Sequence, residues 1–134
     1  MKLHEILLKD IMTRGVITIN MDLSVKDAAH LMSRQKVSAI AVTDHTGEIM
    51  GVISEMDLLK TVNDVSLLDK PVEAVMNYHV VSVKPTTTLK TAAEIMMEKG
   101  YHRLIVLSES GVGASYRPVG IISASDIVKT ITQL

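Results

Sequence analysis

Gly51-Val52-Ile53-Ser54-Glu55-Met56-Asp57 returns later in the chain as Gly120-Ile121-Ile122-Ser123-Ala124-Ser125-Asp126. Each stretch lies between an apolar run and a segment whose apolar residues have helical spacing. Each therefore predicts a strand that leads directly into a helix. The same glycine, serine and aspartate occur at both junctions. This duplication predicts a fold built from two repeats, and it makes the two junctions the first place to look for function.

The similarity extends well beyond the junctions. A shift of 64 positions places Ala92 and Met96 on Ala28 and Met32. Further along, the shift grows to 69 because residues 108–113 belong to a Ser- and Gly-rich insertion, which is typical of an exposed hairpin tip. We therefore divide the chain into an N-terminal helical arm at 1–9, a first repeat at 10–63, a connector at 64–70 and a second repeat at 71–134.

Each repeat is predicted to run strand, helix, strand, strand, helix. Ser24 followed by Asp27 is a helix-start signature, and apolar residues at helical spacing come after it. The second helix of the first repeat should bury Leu58, Leu59 and Val62. Strands are expected at 16–19, 39–43, 49–53, 80–83, 104–107 and 119–122.

Composition excludes several classes of function. The chain has 134 residues, of which 47% are hydrophobic, so the two repeats are expected to share one core. The absence of cysteine excludes a disulfide, a thiolate nucleophile and cysteine-ligated zinc. The five histidines lack the close helical spacing of paired metal ligands, so no metal is expected.

Charge and hydropathy define the expected surroundings. A net charge of −1 with scattered basic residues does not favour nucleic acid as a partner. No segment approaches the ~20 apolar residues that span a bilayer, and the charged N-terminus does not resemble a signal peptide. We expect a cytoplasmic protein without membrane insertion. Since a Gly-rich phosphate loop before a lysine and a convincing catalytic triad are also absent from the sequence, it is not expected to be an enzyme.

The Ser-x-x-Asp pattern at each junction has two physical interpretations. As a capping box, the serine accepts from a backbone N–H and the aspartate reaches back to the cap, which stabilises the helix by ~1 kcal/mol. As a binding site, the helix start offers N–H groups to an anion, the serine donates to a phosphate, and Asp57 or Asp126 accepts from a ribose diol. Gly51 and Gly120 would let a ligand or the neighbouring repeat approach the backbone closely.

The whole pattern resembles the cystathionine-beta-synthase (CBS) domain pair, also called a Bateman module. The resemblance rests on an Ala-Ala-x-x-Met helix and a Gly-x-Ile-Ser-x-x-Asp junction, both in tandem, and it covers nearly the whole chain. It implies an α+β fold with α/β-type repeats, in which two β-α-β-β-α units with pseudo-two-fold symmetry share one core. It further implies a central cleft that takes AMP, ADP, ATP or S-adenosylmethionine, and dimerisation into a flat disc.

Site residues follow from the same resemblance. Asp57 and Asp126 match the ribose-binding acids of the family, and Ser54 and Ser123 match its ribose- or phosphate-contacting hydroxyls. His102 and Arg103 resemble a His-Arg pair that contacts phosphate, which the first repeat lacks, so two unequal sites are expected. The complete set of predicted ligand-binding residues is Thr18, Ser38, Ala39, Ile53, Ser54, Met56, Asp57, Ser82, Tyr101, His102, Arg103, Ile122, Ser123, Ser125 and Asp126.

Two functions remain open from the sequence. The first is a stand-alone regulatory module that binds an adenine nucleotide or S-adenosylmethionine, requires no other cofactor, forms a homodimer and acts on an unidentified partner protein. The alternative is a ligand-free assembly module, in which the Ser-x-x-Asp motifs only cap helices, and the N-terminal arm and Leu67-Leu68 make subunit contacts.

Overall fold

The computed structural model describes residues 2–14, 16–108 and 117–134. The predicted insertion at 108–113 therefore lies outside the described residues, apart from Ser108. The chain divides into two compact units. The continuous unit comprises Ile17–Val80, and the split unit comprises Met1–Val16 together with Val81–Leu134. Each unit contains one β-α-β-β-α repeat, which confirms the predicted α+β fold with duplicated units.

Each of the six predicted strands overlaps an observed strand, and the strand at Thr13–Arg14 is an additional one that the sequence did not predict. In chain order the strands and helices are β1 Thr13–Arg14, β2 Thr18–Asn20, α1 Val25–Gln35, β3 Ala39–Thr43, β4 Ile49–Ser54, α2 Glu55–Leu58, α3 Lys60–Asn63, β5 Ser82–Val83, α4 Leu89–Lys99, β6 Arg103–Leu107, β7 Pro118–Ser123 and α5 Ala124–Thr132. Short 3₁₀ turns lie at Leu3–Glu5, Leu8–Asp10, Val65–Asp69 and Val72–Ala74.

Each unit is built on one sheet. In the continuous unit the order is β2-β3-β4, with β2 parallel and β4 antiparallel to β3. In the split unit the order is β1-β7-β6-β5, with β5 parallel and β7 antiparallel to β6, and β1 antiparallel to β7. The equivalent strands therefore pair in the same way in both units.

Helices α1 and α4 begin and end in matching ways. The side chains of Ser24 and Thr88 each accept from the backbone N–H three residues later, at 3.0 and 3.2 Å. The helices stop where Lys36 and Gly100 adopt left-handed backbone conformations, with φ of 55° and 68°. Helix α1 buries Val25, Ala28 and Met32, and α4 buries Leu89, Ala92 and Met96.

The opening segment of each repeat pairs with a strand in the unit that holds the rest of the other repeat. Asn77, in the opening segment of the second repeat, exchanges backbone hydrogen bonds of 3.0 and 2.8 Å with Val52 in the continuous unit. Thr13, in the opening segment of the first repeat, pairs with Ile121 in the split unit. Compact units and sequence repeats therefore follow different boundaries along the chain.

Most of the buried hydrophobic residues belong to two clusters, one in each unit. One cluster includes Ile40 and Ile53 with the helix face of α1. The other includes Leu104 and Ile122 with the helix face of α4.

The second helix of the first repeat differs from the prediction. It is interrupted at Leu59, which separates α2 from α3, and only Leu58 packs against the core. Leu59 and Val62 are 57% and 74% exposed, so their predicted burial is wrong.

The N-terminal arm forms 3₁₀ turns in place of the single helix that its spacing suggested. Ile6 and Leu8 are buried in the split unit, and the Leu8 N–H donates to the Thr87 carbonyl at 2.9 Å. Leu67 and Leu68, offered as subunit contacts, pack partly against the cluster of the continuous unit.

Candidate functional site

The junction between β4 and α2 holds Ser54 and Asp57 in a complete capping box. Asp57 Oδ2 accepts the Ser54 backbone N–H at 2.8 Å and the Ser54 hydroxyl at 3.1 Å. Ser54 Oγ in turn accepts the Asp57 backbone N–H at 3.4 Å. Strand exit and helix start are thus tied together by both side chains.

The junction between β7 and α5 repeats this geometry in the split unit. Asp126 Oδ2 accepts the Ser123 N–H at 2.8 Å, and Ser123 Oγ accepts the Asp126 N–H at 3.1 Å. The Ser123 and Ser125 hydroxyl oxygens lie 3.4 Å apart. The duplicated sequence motif is therefore also a duplicated local structure.

A third Ser-x-x-Asp box, at the start of α1, does not follow a repeat junction. The Ser24 N–H donates to Asp27 Oδ2 at 3.2 Å, and the Asp27 N–H donates to Ser24 Oγ at 3.0 Å. Hydrogen bonds from the Ser24 side chain and backbone lower the pKa of the Asp27 carboxyl. Since this box has the same geometry at a different place in the repeat, the geometry alone identifies a helix cap and nothing more.

The helix cap uses only one of the two oxygens of each junction carboxylate. The cap occupies Oδ2 of Asp57 and Asp126. Asp57 Oδ1 lies 3.8 Å from Lys60 Nζ, and the Asp57 side chain is only 17% exposed. An ionised carboxylate has about four acceptor positions, so a cap and a ligand hydroxyl can be accommodated by the same aspartate. Capping and ligand binding are compatible roles of one side chain.

The strand that pairs with the junction strand is β3 in the continuous unit and β6 in the split unit, and its start lies beside the junction. The Glu55 N–H donates to the Ser38 carbonyl at 3.0 Å, and the Ala124 N–H donates to the His102 carbonyl at 2.9 Å. In register, Ala39 is opposite Ser54, and Arg103 is opposite Ser123. The predicted ligand-binding residues at the start of β3 and of β6 are therefore neighbours of the junction in each unit.

Thr18 lies on β2 and Ser82 lies on β5. Each faces a residue of β3 or β6 that comes two positions after the residue paired with the junction serine. Their partners in register are Ala41 and Ile105, and both side chains are exposed. These hydroxyls are at the same end of each sheet as the junction.

The remaining predicted residues divide between core and surface. Ile53 and Ile122 are fully buried in the cores of their units. Met56 is 72% exposed. His102 is exposed, whereas Tyr101 and Arg103 are half-buried.

The structure thus brings the predicted residues together as two local groups. Thr18, Ser38, Ala39, Ser54 and Asp57 gather at one end of the sheet of the continuous unit. Their counterparts in the split unit are Ser82, His102, Arg103, Ser123 and Asp126. The first group is uncharged apart from its aspartate, while the second adds a guanidinium and an imidazole.

Sequence reasoning missed a groove in the continuous unit, next to the junction. It has a volume of about 570 Å³ and includes Lys36 and Glu55. The repeat alignment places Lys36 on Gly100, and a glycine at a helix end indicates a left-handed position, so the sequence held a signal for the helix end at Lys36 but not for the groove.

Two further structural findings bear on the class of site. In the described parts of the chain, no three His, Cys, Asp or Glu side chains gather as metal ligands would. Among the described helices, every one is too short or too polar to cross a lipid bilayer.

Comparison with known proteins points to one family. The profile of the CBS domain matches residues 8–64 and 72–133. Protein MJ1404 of Methanocaldococcus jannaschii is 31% identical over 92% of the chain, but the chain spans only 31% of its length. The crystal structure of the CBS-domain-containing protein ATU1752 from Agrobacterium tumefaciens is 30% identical, with a TM-score of 0.78 over 93% of this chain and 98% of that one. The structure of CBSX2 in complex with AMP is 28% identical, with a TM-score of 0.78 over 95% of this chain and 96% of that one.

Proposed function

Since the chain belongs to the CBS-domain family, we propose that it is a regulatory module that binds an adenosyl ligand at its Ser-x-x-Asp junctions. The observation that carries the proposal is that the helix cap uses Oδ2 of Asp57 and of Asp126 and leaves the Oδ1 oxygen outside the cap, beside a strand end in each unit. The adenosyl class is supported by the AMP complex of the relative CBSX2.

The proposed roles follow from the local chemistry. Oδ1 of each aspartate accepts a ribose hydroxyl while Oδ2 keeps the helix cap. In the continuous unit the ribose hydroxyl competes with Lys60 for Asp57, but the lysine side chain is exposed and its nitrogen is 3.8 Å away, so the ion pair contributes little. That competition does not prevent binding.

The two junctions should differ in ligand charge. Arg103 and His102 supply cationic or hydrogen-bonding groups for a phosphate in the split unit. Ser38 and Ala39 stand at the matching places in the continuous unit. We propose that the split unit prefers phosphorylated adenosyl ligands such as AMP, ADP or ATP, and that the continuous unit binds them more weakly.

The test is thermal unfolding and calorimetric titration with AMP, ATP, S-adenosylmethionine and GTP. Saturation at 100 times the dissociation constant stabilises the native state by ~2.7 kcal/mol. Asp57→Ala and Asp126→Ala together should abolish the ligand-induced shift. Asp27→Ala is the matched control, because it removes a box of the same geometry away from the junctions. It should lower stability and leave the ligand-induced shift unchanged.

The alternative is the ligand-free assembly module, and the completeness of all three capping boxes is the observation that favours it. On that hypothesis Asp57→Ala and Asp27→Ala behave alike. Both would destabilise the protein, and no adenosyl compound would move the midpoint of either variant or of the unchanged protein.

We further propose that the module is a homodimer that transmits ligand occupancy to a partner protein. Matching positions of the second helical region in the two repeats carry large apolar side chains that are between 47% and 74% exposed. Burying such stripes against a second copy would remove apolar surface from water. The residues are Leu59, Val62, Val65, Val128, Ile131 and Leu134.

Sedimentation equilibrium tests the dimer. Val62→Glu combined with Val128→Glu should shift the protein to monomer. Gln35→Glu, which introduces the same charge on the exposed end of α1, should not. A dimer unaffected by the double change would rule out these stripes as the contact.

A further inference from the structure

The groove in the continuous unit lies where the end of α1 approaches the start of α2. Its volume of about 570 Å³ is within the range of small-molecule sites. Lys36 and Glu55 both line it, and both are exposed. The apolar part of the lining consists of Ala29, Met32, Val37 and Leu58. The groove therefore combines an aliphatic and thioether surface with one ammonium and one carboxylate.

Lys36 occupies a backbone position that favours glycine. Its φ is 55° and its ψ is 45°, which makes it the single non-glycine residue with positive φ in the described parts of the chain. A side chain in the left-handed region is strained, whereas glycine is not. Gly100 occupies the equivalent position at the end of α4, with φ of 68°. The first repeat thus has a lysine at a position where the backbone conformation favours glycine.

The charged pair is not required by the fold. The split unit has Gly100 in place of Lys36 and Ala124 in place of Glu55. It nevertheless forms the same helix end, and the Ala124 N–H makes the same strand-helix hydrogen bond as the Glu55 N–H. Neither Lys36 nor Glu55 forms an ion pair with any residue that the structure describes. The two charges are available to a ligand.

We propose that this groove binds a zwitterionic α-amino acid with an aliphatic or thioether side chain. Lys36 contacts the carboxylate, Glu55 contacts the ammonium, and the apolar lining takes the side chain. Opposite charges in one lining match a ligand that carries both charges, and charge-assisted hydrogen bonds are the strong ones in such sites. An amino acid is also small enough for a groove of this volume.

This site is separate from the proposed adenosyl site. It uses neither Asp57 nor Asp126, and Ser38 is the residue that the two share. Changes at Lys36 and Glu55 side chains leave both capping boxes intact. Failure of one proposal is therefore measurable while the other stands.

The experiment is isothermal titration of the full chain with L-leucine. Two analogues report on the charges separately: 4-methylpentanoate lacks the ammonium, and 3-methylbutylamine lacks the carboxylate. Each should bind about tenfold more weakly than leucine or worse, since each loses a charge-assisted contact. Lys36→Gly and Glu55→Ala copy the residues of the split unit, and each should weaken leucine binding by a similar factor.

Lys36→Gly separates binding from stability. Because glycine relieves the left-handed strain, the midpoint of thermal unfolding should not fall, while leucine should bind about tenfold more weakly. In that variant, leucine and 3-methylbutylamine should bind equally weakly, because the carboxylate has no partner left. AMP-induced stabilisation should be unchanged in both variants.

Three results would overturn the inference. One is leucine affinity that is the same in the unchanged protein, Lys36→Gly and Glu55→Ala. Another is the absence of leucine binding to a protein that AMP still stabilises. A third is loss of self-association in both variants without any leucine binding, which would assign the groove to contact with a second copy.

Discussion

Replacing Gly51 with alanine tests how closely the Met76-Asn77 segment approaches the sheet. A Cβ atom at position 51 would lie 2.8 Å from the Asn77 carbonyl oxygen and 2.9 Å from Met76 Sδ. The sulfur is at the end of a flexible side chain and can move. The carbonyl is backbone, and it belongs to the residue that pairs with Val52.

The expected destabilisation can be worked from these distances. To reach an ordinary contact of 3.4 Å, the Asn77 carbonyl must withdraw by about 0.6 Å from β4. That movement stretches the two backbone hydrogen bonds between Asn77 and Val52, now 3.0 and 2.8 Å. Overpacking of a tight contact costs ~1–3 kcal/mol, and each weakened hydrogen bond contributes up to ~0.5–1.5 kcal/mol. We expect Gly51→Ala to lower the free energy of unfolding by ~2 kcal/mol.

Urea denaturation followed by circular dichroism measures the change. Gly100→Ala is the control, because a Cβ there meets nothing within 4 Å and the variant carries only left-handed strain. The midpoint of Gly51→Ala should fall with an unchanged slope, since the amount of surface exposed on unfolding is the same. A Gly51→Ala protein within ~0.5 kcal/mol of the unchanged one would refute the close approach as the reason for this glycine.

Other outcomes follow from the units and caps. A fragment of residues 17–80 should unfold cooperatively in urea, because it holds its own buried cluster. A fragment of residues 1–64 should not, because it lacks the segment that pairs with Val52. A non-cooperative transition for the 17–80 fragment would contradict this. Thr88→Ala should lower the unfolding free energy by ~1 kcal/mol through loss of the α4 cap, and an unchanged guanidinium midpoint would exclude that role. The pKa of Asp27 is lowered on folding, so the stability gap between the unchanged protein and Asp27→Ala should be present above the ordinary value of 3.8 and close as the pH falls through the lower folded pKa. Thermal melts across that range measure it, and a gap that widens in acid would contradict the cap.

The fold was predictable because duplication and periodicity are local signals. The spacing of Val25, Ala28 and Met32 identifies the buried face of α1 without knowledge of its partners. The exchange of leading segments was not predictable, since nothing in residues 72–77 states which strand they pair with. Leu59 and Val62 were misjudged because apolar residues at helical spacing predict a buried face, and the sequence does not reveal that this face is on the surface.

The candidate site was predictable to a different degree. Ser54 and Asp57 were identified from spacing, and their capping geometry is as expected for a capping box. From the sequence, capping and binding were alternative roles of each aspartate, because spacing does not indicate which carboxylate oxygen forms the cap. In the structure the cap uses Oδ2 alone.

Internal duplication provides a comparison within one molecule, and it separates what the fold needs from what it does not. Gly51 and Gly120, with the serine and aspartate that follow them, are the same in both repeats and form the same junction. Lys36 and Glu55 are replaced by glycine and alanine in the split unit without loss of that junction. Lys36 is kept against backbone preference, and both charged side chains are omitted by the other repeat, which still forms the junction, so their presence requires an explanation other than that junction. Binding of a ligand that only one unit recognises supplies it.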